Sequence, residues 1–170
     1  MDDLDAAWAA VTAAQRELVR KRATFYQHGK GRIEVLRRAL QEQGWSRMAA
    51  MRLLTDLSED VPGLVPELVN LAMLPDTCGW ARRALRAGTM QHGLGAPIWH
   101  HAKGYLPDGD LLDWGMAADL LTEIEAWQPL VELLDLATAH HDPEVRELAA
   151  ERRQQLAPLR TSGTGAPDPI

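Results

Sequence analysis

Apolar residues recur at helical spacing along almost the whole chain. Over residues 3–27, Leu4, Val11, Leu18 and Phe25 return every seven positions, with Ala7 and Ala14 between them. That is the stripe of a long amphipathic helix with a seam like that of a coiled coil. Lys21 interrupts the second series, and Gly29 and Gly31 end the helix. The stripe either packs onto the rest of the chain, the simpler reading, or forms a homodimer seam through Leu4, Val11, Leu18 and Phe25. From Ile33 to Leu159 the periodicity predicts about eight shorter helices, and no stretch alternates as a strand does. The breaks fall at Gly44, Val61-Pro62-Gly63, Leu74-Pro75-Asp76, Gly93 to Pro97, Leu106 to Gly109, and Asp142-Pro143. Each holds a helix-punctuating Gly or Pro. Residues 1–29 are thus read as an N-terminal helix and 30–159 as a helical domain. Residues 160–170, polar and rich in Gly and Pro, are read as a disordered tail.

The breaks are evenly spaced, so the segments were aligned on one another. Trp45, Trp80 and Trp114 recur at almost equal intervals, each with Ala four positions on, at Ala49, Ala84 and Ala118. Val145 and Ala149 extend the series. Pro66, Pro97 and Pro129 keep a similar beat and suit the first turn of a second helix, where a missing N–H costs nothing. The implied unit is helix A, turn, helix B, turn. One such pair cannot bury its apolar face alone, whereas stacked pairs share a continuous core. Asp76, Asp108, Asp110 and Asp142 are placed to cap the A helices.

Asp142-Pro143-x-Val145-Arg146-x-x-Ala149-Ala150 resembles the start of a HEAT A helix, and Trp45-x-Arg47-x-Ala49-Ala50 and Trp114-x-x-Ala117-Ala118 are analogous starts. The chain therefore resembles HEAT-like repeat proteins over roughly residues 31–158. Trp stands where the pattern has Val at three starts, and the Trp114 copy lacks the Arg. The resemblance implies an all-α fold, a short right-handed α-solenoid of helix pairs behind a long N-terminal helix; an irregular helical bundle is the alternative. It also implies a protein-binding role, since most such arrays bind proteins or peptides.

Composition agrees with helix. There are 25 Leu but only 12 Val and Ile together. Fifteen Arg against three Lys, with abundant Ala and Leu, suggests a GC-rich bacterial genome. At 170 residues and 46% hydrophobic, the chain has enough apolar residues for one folded domain. The acidic start, MDDLDAAWAA, is unlike a secretory signal, and no apolar run suits a membrane span, so a cytoplasmic location is expected. Charge is segregated: residues 16–38 carry eight cations against two carboxylates, and residues 104–151 carry twelve carboxylates against Arg146 alone. A net charge of −6 argues against nucleic acid as a partner of the whole chain.

The candidate chemistry is binding. In solenoids the B helices commonly line the concave face. Here that face would carry Glu67 and Asn70, then Trp99, His100, His101 and Lys103, then Glu132 and Asp135, with Glu123 adding to the acidic end. Trp99 is either an interface anchor or core. The neighbouring pairs His100-His101 and His140-His141 cannot chelate one ion from a regular helix, because adjacent residues point about 100° apart. Lone Cys78 has no fixed partner, and Gly93-Leu94-Gly95 matches no phosphate-binding loop. No metal, cofactor or catalytic residue is expected. The leading expectation is a non-enzymatic adaptor or inhibitor for a basic protein or peptide, for example an immunity protein against a basic toxin. The alternatives are a HEAT-like nucleic-acid-processing enzyme, such as the alkylpurine DNA glycosylases, and a scaffold that self-assembles through its N-terminal helix.

Overall fold

The computed structural model describes residues 2–29 and 31–162, and the side chains of residues 3–29 and 31–156. The described residues form nine α-helices and no strand. They are α1 (Asp2–Gln27), α2 (Arg32–Gln41), α3 (Trp45–Asp56), α4 (Val65–Ala72), α5 (Cys78–His92), α6 (Gly95–Ala102), α7 (Leu111–Glu123), α8 (Trp127–Thr138) and α9 (Pro143–Ser162). A 3₁₀ helix, Ser58–Leu64, precedes α4, and a shorter one, Lys103–Tyr105, follows α6. None of these helices is long and apolar enough to cross a membrane.

Turn chemistry explains the boundaries. Gly44, at φ 72, leads into α3, and Gly93, at φ 65, caps α5 in the left-handed conformation that only glycine adopts freely. Pro66, Pro97 and Pro129 all lie in the first turns of α4, α6 and α8. Of the four aspartates expected to cap, Asp110 caps α7 in a reciprocal box with Asp113, and Asp142 accepts from the Glu144 N–H. Thr77, not Asp76, precedes α5, and Asp108 stays in the turn before α7. The break at Val61-Pro62-Gly63 separates α3 from α4, and it takes the form of the 3₁₀ helix. Helix α9 runs to Ser162 and so takes in residues 160–162 of the expected tail; residues 163–170 lie outside the described residues.

The helices stack in two rows. One row is α3, α5, α7 and α9, and the other is α2, α4, α6 and α8, each member packing on the next of its row. The first row starts at Trp45, Cys78, Leu111 and Pro143, an even beat along the chain. Across the rows α2 packs on α3, α4 on α5, α7 on α8 and α8 on α9, while α3 is joined to α4 mainly through the 3₁₀ helix. The closest hairpins in the first half thus pair a B helix with the following A helix, one helix out of phase with the unit read from the sequence. Close approach is set by small residues: a Cβ on Gly88 of α5 would lie 2.4 Å from Val61 Cγ1.

The core runs between the rows, through Met51, Leu54, Leu68, Leu85, Ile98, Leu120, Leu121, Leu133 and Val145. The aligned tryptophans meet different fates. Trp114 is 4% exposed, Trp80 is half-buried between the guanidiniums of Arg52 and Arg83, and Trp45 is 89% exposed. Ala84, Ala118 and Ala149 are fully buried, but in α3 it is Ala50 that is buried and Ala49 that faces out. A register shifted by one residue turns α3 by about 100°, and Trp45 with it.

The N-terminal helix departs from the expectation that its stripe packs in cis. Leu4, Trp8 and Val11 are 77%, 70% and 49% exposed. Contact with the rest starts near Leu18, and Phe25 packs against the core. Arg22 pairs with Asp56, and Arg32 donates to the Tyr26 carbonyl at the end of α1 (2.8 Å).

Candidate functional site

The residues expected to form a binding ladder do fall mainly on the second row, but most are occupied by neighbours. Glu67 of α4 accepts from Arg37 Nε of α2 (2.7 Å). Asn70 accepts from the Tyr105 hydroxyl. Trp99 is buried core, and its indole N–H donates to Glu132 of the next layer (2.8 Å). Lys103 lies over the Trp99 ring, 5.7 Å from its centroid. Asp135 is paired with Arg153 of α9. His100 is exposed and His101 half-buried, with their rings edge to face. Glu123 ends α7 and so belongs to the other row. The structure therefore brings Trp99, Lys103 and Glu132 together, and spends Glu67, Asn70 and Asp135 on joining layers or helices. Charge-assisted bonds of this kind position groups more than they leave them free for a partner.

Two electrostatic effects belong to these contacts. The hydrogen bond that Arg37 donates to Glu67, and then the one it donates to Glu34, raise its pKa above the ordinary value. Burial, with the Asp113 charge, raises that of the Tyr105 phenol above 10.0. A second arginine is held more tightly. Arg32 donates to Asp60 (2.9 Å), Glu59 (2.9 Å) and the Tyr26 carbonyl; the Asp60 bond is the main cause of its raised pKa.

Two concavities lie at the acidic end. One, of about 640 Å³, runs between the starts of α7 and α9, lined by Asp110, Leu111, Leu112, Met116, Asp119, Asp142 and Glu144. Asp110 and Asp142 are held there by the helix N-termini they cap, because the first N–H groups of a helix need acceptors. Asp119 receives Arg152 (2.5 Å) and lies 3.9 Å from the buried Arg82. Glu144 is exposed and has no cationic partner among the described residues. Leu111 and Leu112 are exposed beside these carboxylates. The residue pattern alone did not single out this groove, although the Asp-x-x-Asp box before α7 and the Asp-Pro before α9 mark its two acidic corners.

The second concavity, of about 520 Å³, is lined by Lys103, Leu106, Pro107, Trp114, Leu136, His140 and His141. The Asp142 N–H donates to His140 Nδ1 (3.2 Å), which places the proton of the neutral imidazole on Nε2. The His140 ring stands 5.1 Å from that of Trp114, whose indole N–H is buried without a partner.

Comparison of the chain with protein-family models, curated proteins and solved structures finds no match. The functional reading therefore rests on the geometry of the molecule.

Proposed function

We propose that this chain is a HEAT-like α-solenoid that works by binding rather than by catalysis, as an adaptor or inhibitor for a basic protein surface. The observation that carries the reading is the groove between α7 and α9. It sets four carboxylates, Asp110, Asp119, Asp142 and Glu144, around exposed Leu111 and Leu112. An apolar floor with an acidic rim suits a Lys- or Arg-rich segment that also offers an apolar anchor: burial of the anchor supplies affinity, and the carboxylates supply attraction at range and selectivity. The even spacing of helix starts and the two rows of stacked helices support the HEAT-like reading. The groove takes the place of the second-row ladder as the contact surface, since Glu144, Leu111 and Leu112 face solvent there side by side, while most ladder side chains are held by neighbouring helices.

An immunity protein against a basic toxin is one concrete form of this role, and a toxin gene immediately upstream would support it. The direct test is capture from the source organism's lysate by three chains: wild type, Leu112→Ser/Glu144→Lys in the groove, and Glu132→Lys/Asp135→Lys on α8. The expected result is one basic protein held by wild type and the α8 variant and lost by the groove variant. Loss only in the α8 variant moves the site to the second row. Retention of nothing specific by any chain refutes the binding reading.

A further inference from the structure

We infer that the exposed part of α1 pairs with α1 of a second copy, antiparallel, about a two-fold axis near Val11. Four observations lead there. First, Leu4, Trp8, Val11 and Leu18 lie within about 40° of one line at 3.6 residues per turn, and all four are exposed. An apolar stripe of this length left in water marks an interaction surface. Second, the root of the helix is already committed in cis: Phe25 is packed on the core and Arg22 is paired with Asp56. Phe25 therefore drops out of the dimer seam, and the free stripe is centred on Val11 rather than on the middle of the helix.

Third, the charges beside the stripe choose the orientation. By helical position Asp3 and Lys21 share one flank, and Asp5 and Arg16 share the other. A two-fold axis across two antiparallel helices sets each flank against the same flank of its partner. With Val11 at the axis, Leu4 meets Leu18, Asp3 comes beside Lys21, and Asp5 comes beside Arg16. All four charge contacts are attractive, whereas parallel pairing sets Asp3 of each helix beside Asp5 of the other. Arg16 has no ion pair among the described residues, so it is available for one. The same aspartates also suit the positive N-terminal end of their own helix, but that effect accounts for neither the bare stripe nor the matched flanks.

Fourth, the first layer is uncovered where the partner would arrive. A notch of about 320 Å³ beside the root of α1 is lined by Leu18, Val35, Ala39, Ala49 and Leu53, and Trp45 stands exposed next to its edge at Ser46. Terminal layers of stacked arrays need such a cover. The N-terminal end of the partner's helix, carrying Leu4 and Trp8, is directed to this end of the molecule.

Light scattering on the intact chain tests the proposal, beside two charge variants, Asp3→Lys/Asp5→Lys and Arg16→Glu/Lys21→Glu. Wild type is expected at twice the chain mass, and each variant alone at the single mass. An equimolar mixture of the two variants restores the dimer, because each then meets opposite charge. Val11→Asp gives a monomer whose melting temperature matches that of wild type diluted to the single mass, as befits an exposed position. A monomeric wild type at tens of micromolar overturns the proposal. So does a mixture that stays monomeric, or a Val11→Asp chain that stays dimeric.

Discussion

The first layers and the last two layers handle charge in opposite ways. In the first, three arginines of the basic stretch are used at home: Arg22 on Asp56, Arg32 on Asp60 and Glu59, Arg37 on Glu34 and Glu67. In the last, Arg82, Arg86, Arg152 and Arg153 reach only Asp119, Glu125 and Asp135, and Glu123, Glu144 and Glu147 have no cationic partner among the described residues. Apolar groups show the reverse contrast. Trp114 is buried under the third layer, while Trp45 and the stripe of α1 stand in water at the first. A charge run in sequence is therefore a poor guide to a charged surface. What decides is whether the next layer supplies partners, and the N-terminal run finds most of its partners on the elements that follow α3 or end it.

The two tryptophans separate the ends of the molecule most strongly. Trp114→Ala should cost about 3–5 kcal/mol, the range for a buried aromatic, whereas Trp45→Ala should change stability by less than about 0.5 kcal/mol, as an exposed position does; urea unfolding of both settles it. Asp60→Ala takes from the half-buried Arg32 guanidinium its main partner, leaving Glu59 and the Tyr26 carbonyl, and should cost about 1.5–3 kcal/mol, against less than about 1 kcal/mol for Glu125→Ala, whose partner Arg86 is exposed. Equal losses in that pair would erase the distinction between the two ends. Gly88→Ala forces α5 off Val61 and should lower stability by about 1–3 kcal/mol, read as a fall in melting temperature with unchanged helicity.

The smallest effect is one of pH. The folded Tyr105 phenol holds its proton more tightly than the unfolded one at 10.0, so its contribution is complete below that value and disappears as pH rises through the raised folded pKa. The stability gap between wild type and Tyr105→Phe should accordingly narrow in alkaline solution. A gap independent of pH would show that Tyr105 does not titrate differently on folding.

Much of the architecture was legible. Helical periodicity, Gly and Pro punctuation and first-turn prolines predict about eight segments after the first helix, and the described residues form eight α-helices there. Those signals are local, and local signals survive folding. Phase was harder to read. Which helix pairs most closely with which depends on side-chain volume across a loop, and the 3₁₀ helix at Ser58–Leu64 inserts itself between α3 and α4. The candidate site was the least legible part. Glu67, Asn70, Glu132 and Asp135 look free in a sequence, because a partner on another helix leaves no mark beside them. The α7–α9 groove leaves no mark of its own in the sequence because Asp110 and Asp142 read fully as caps, and a cap can also be a wall.

The reach of the side-chain contacts has a consequence for how the chain is made. Among the described residues, no side-chain hydrogen bond joins groups more than 39 residues apart. Contacts this local close quickly and ask little of distant chain. As the polypeptide leaves the ribosome, each new helix pair finds its neighbour already in place, so the array can grow like a stack. The uncovered α1 arm is made before the array it precedes. Two nascent chains on one message would therefore have their pairing surfaces exposed before either array is complete.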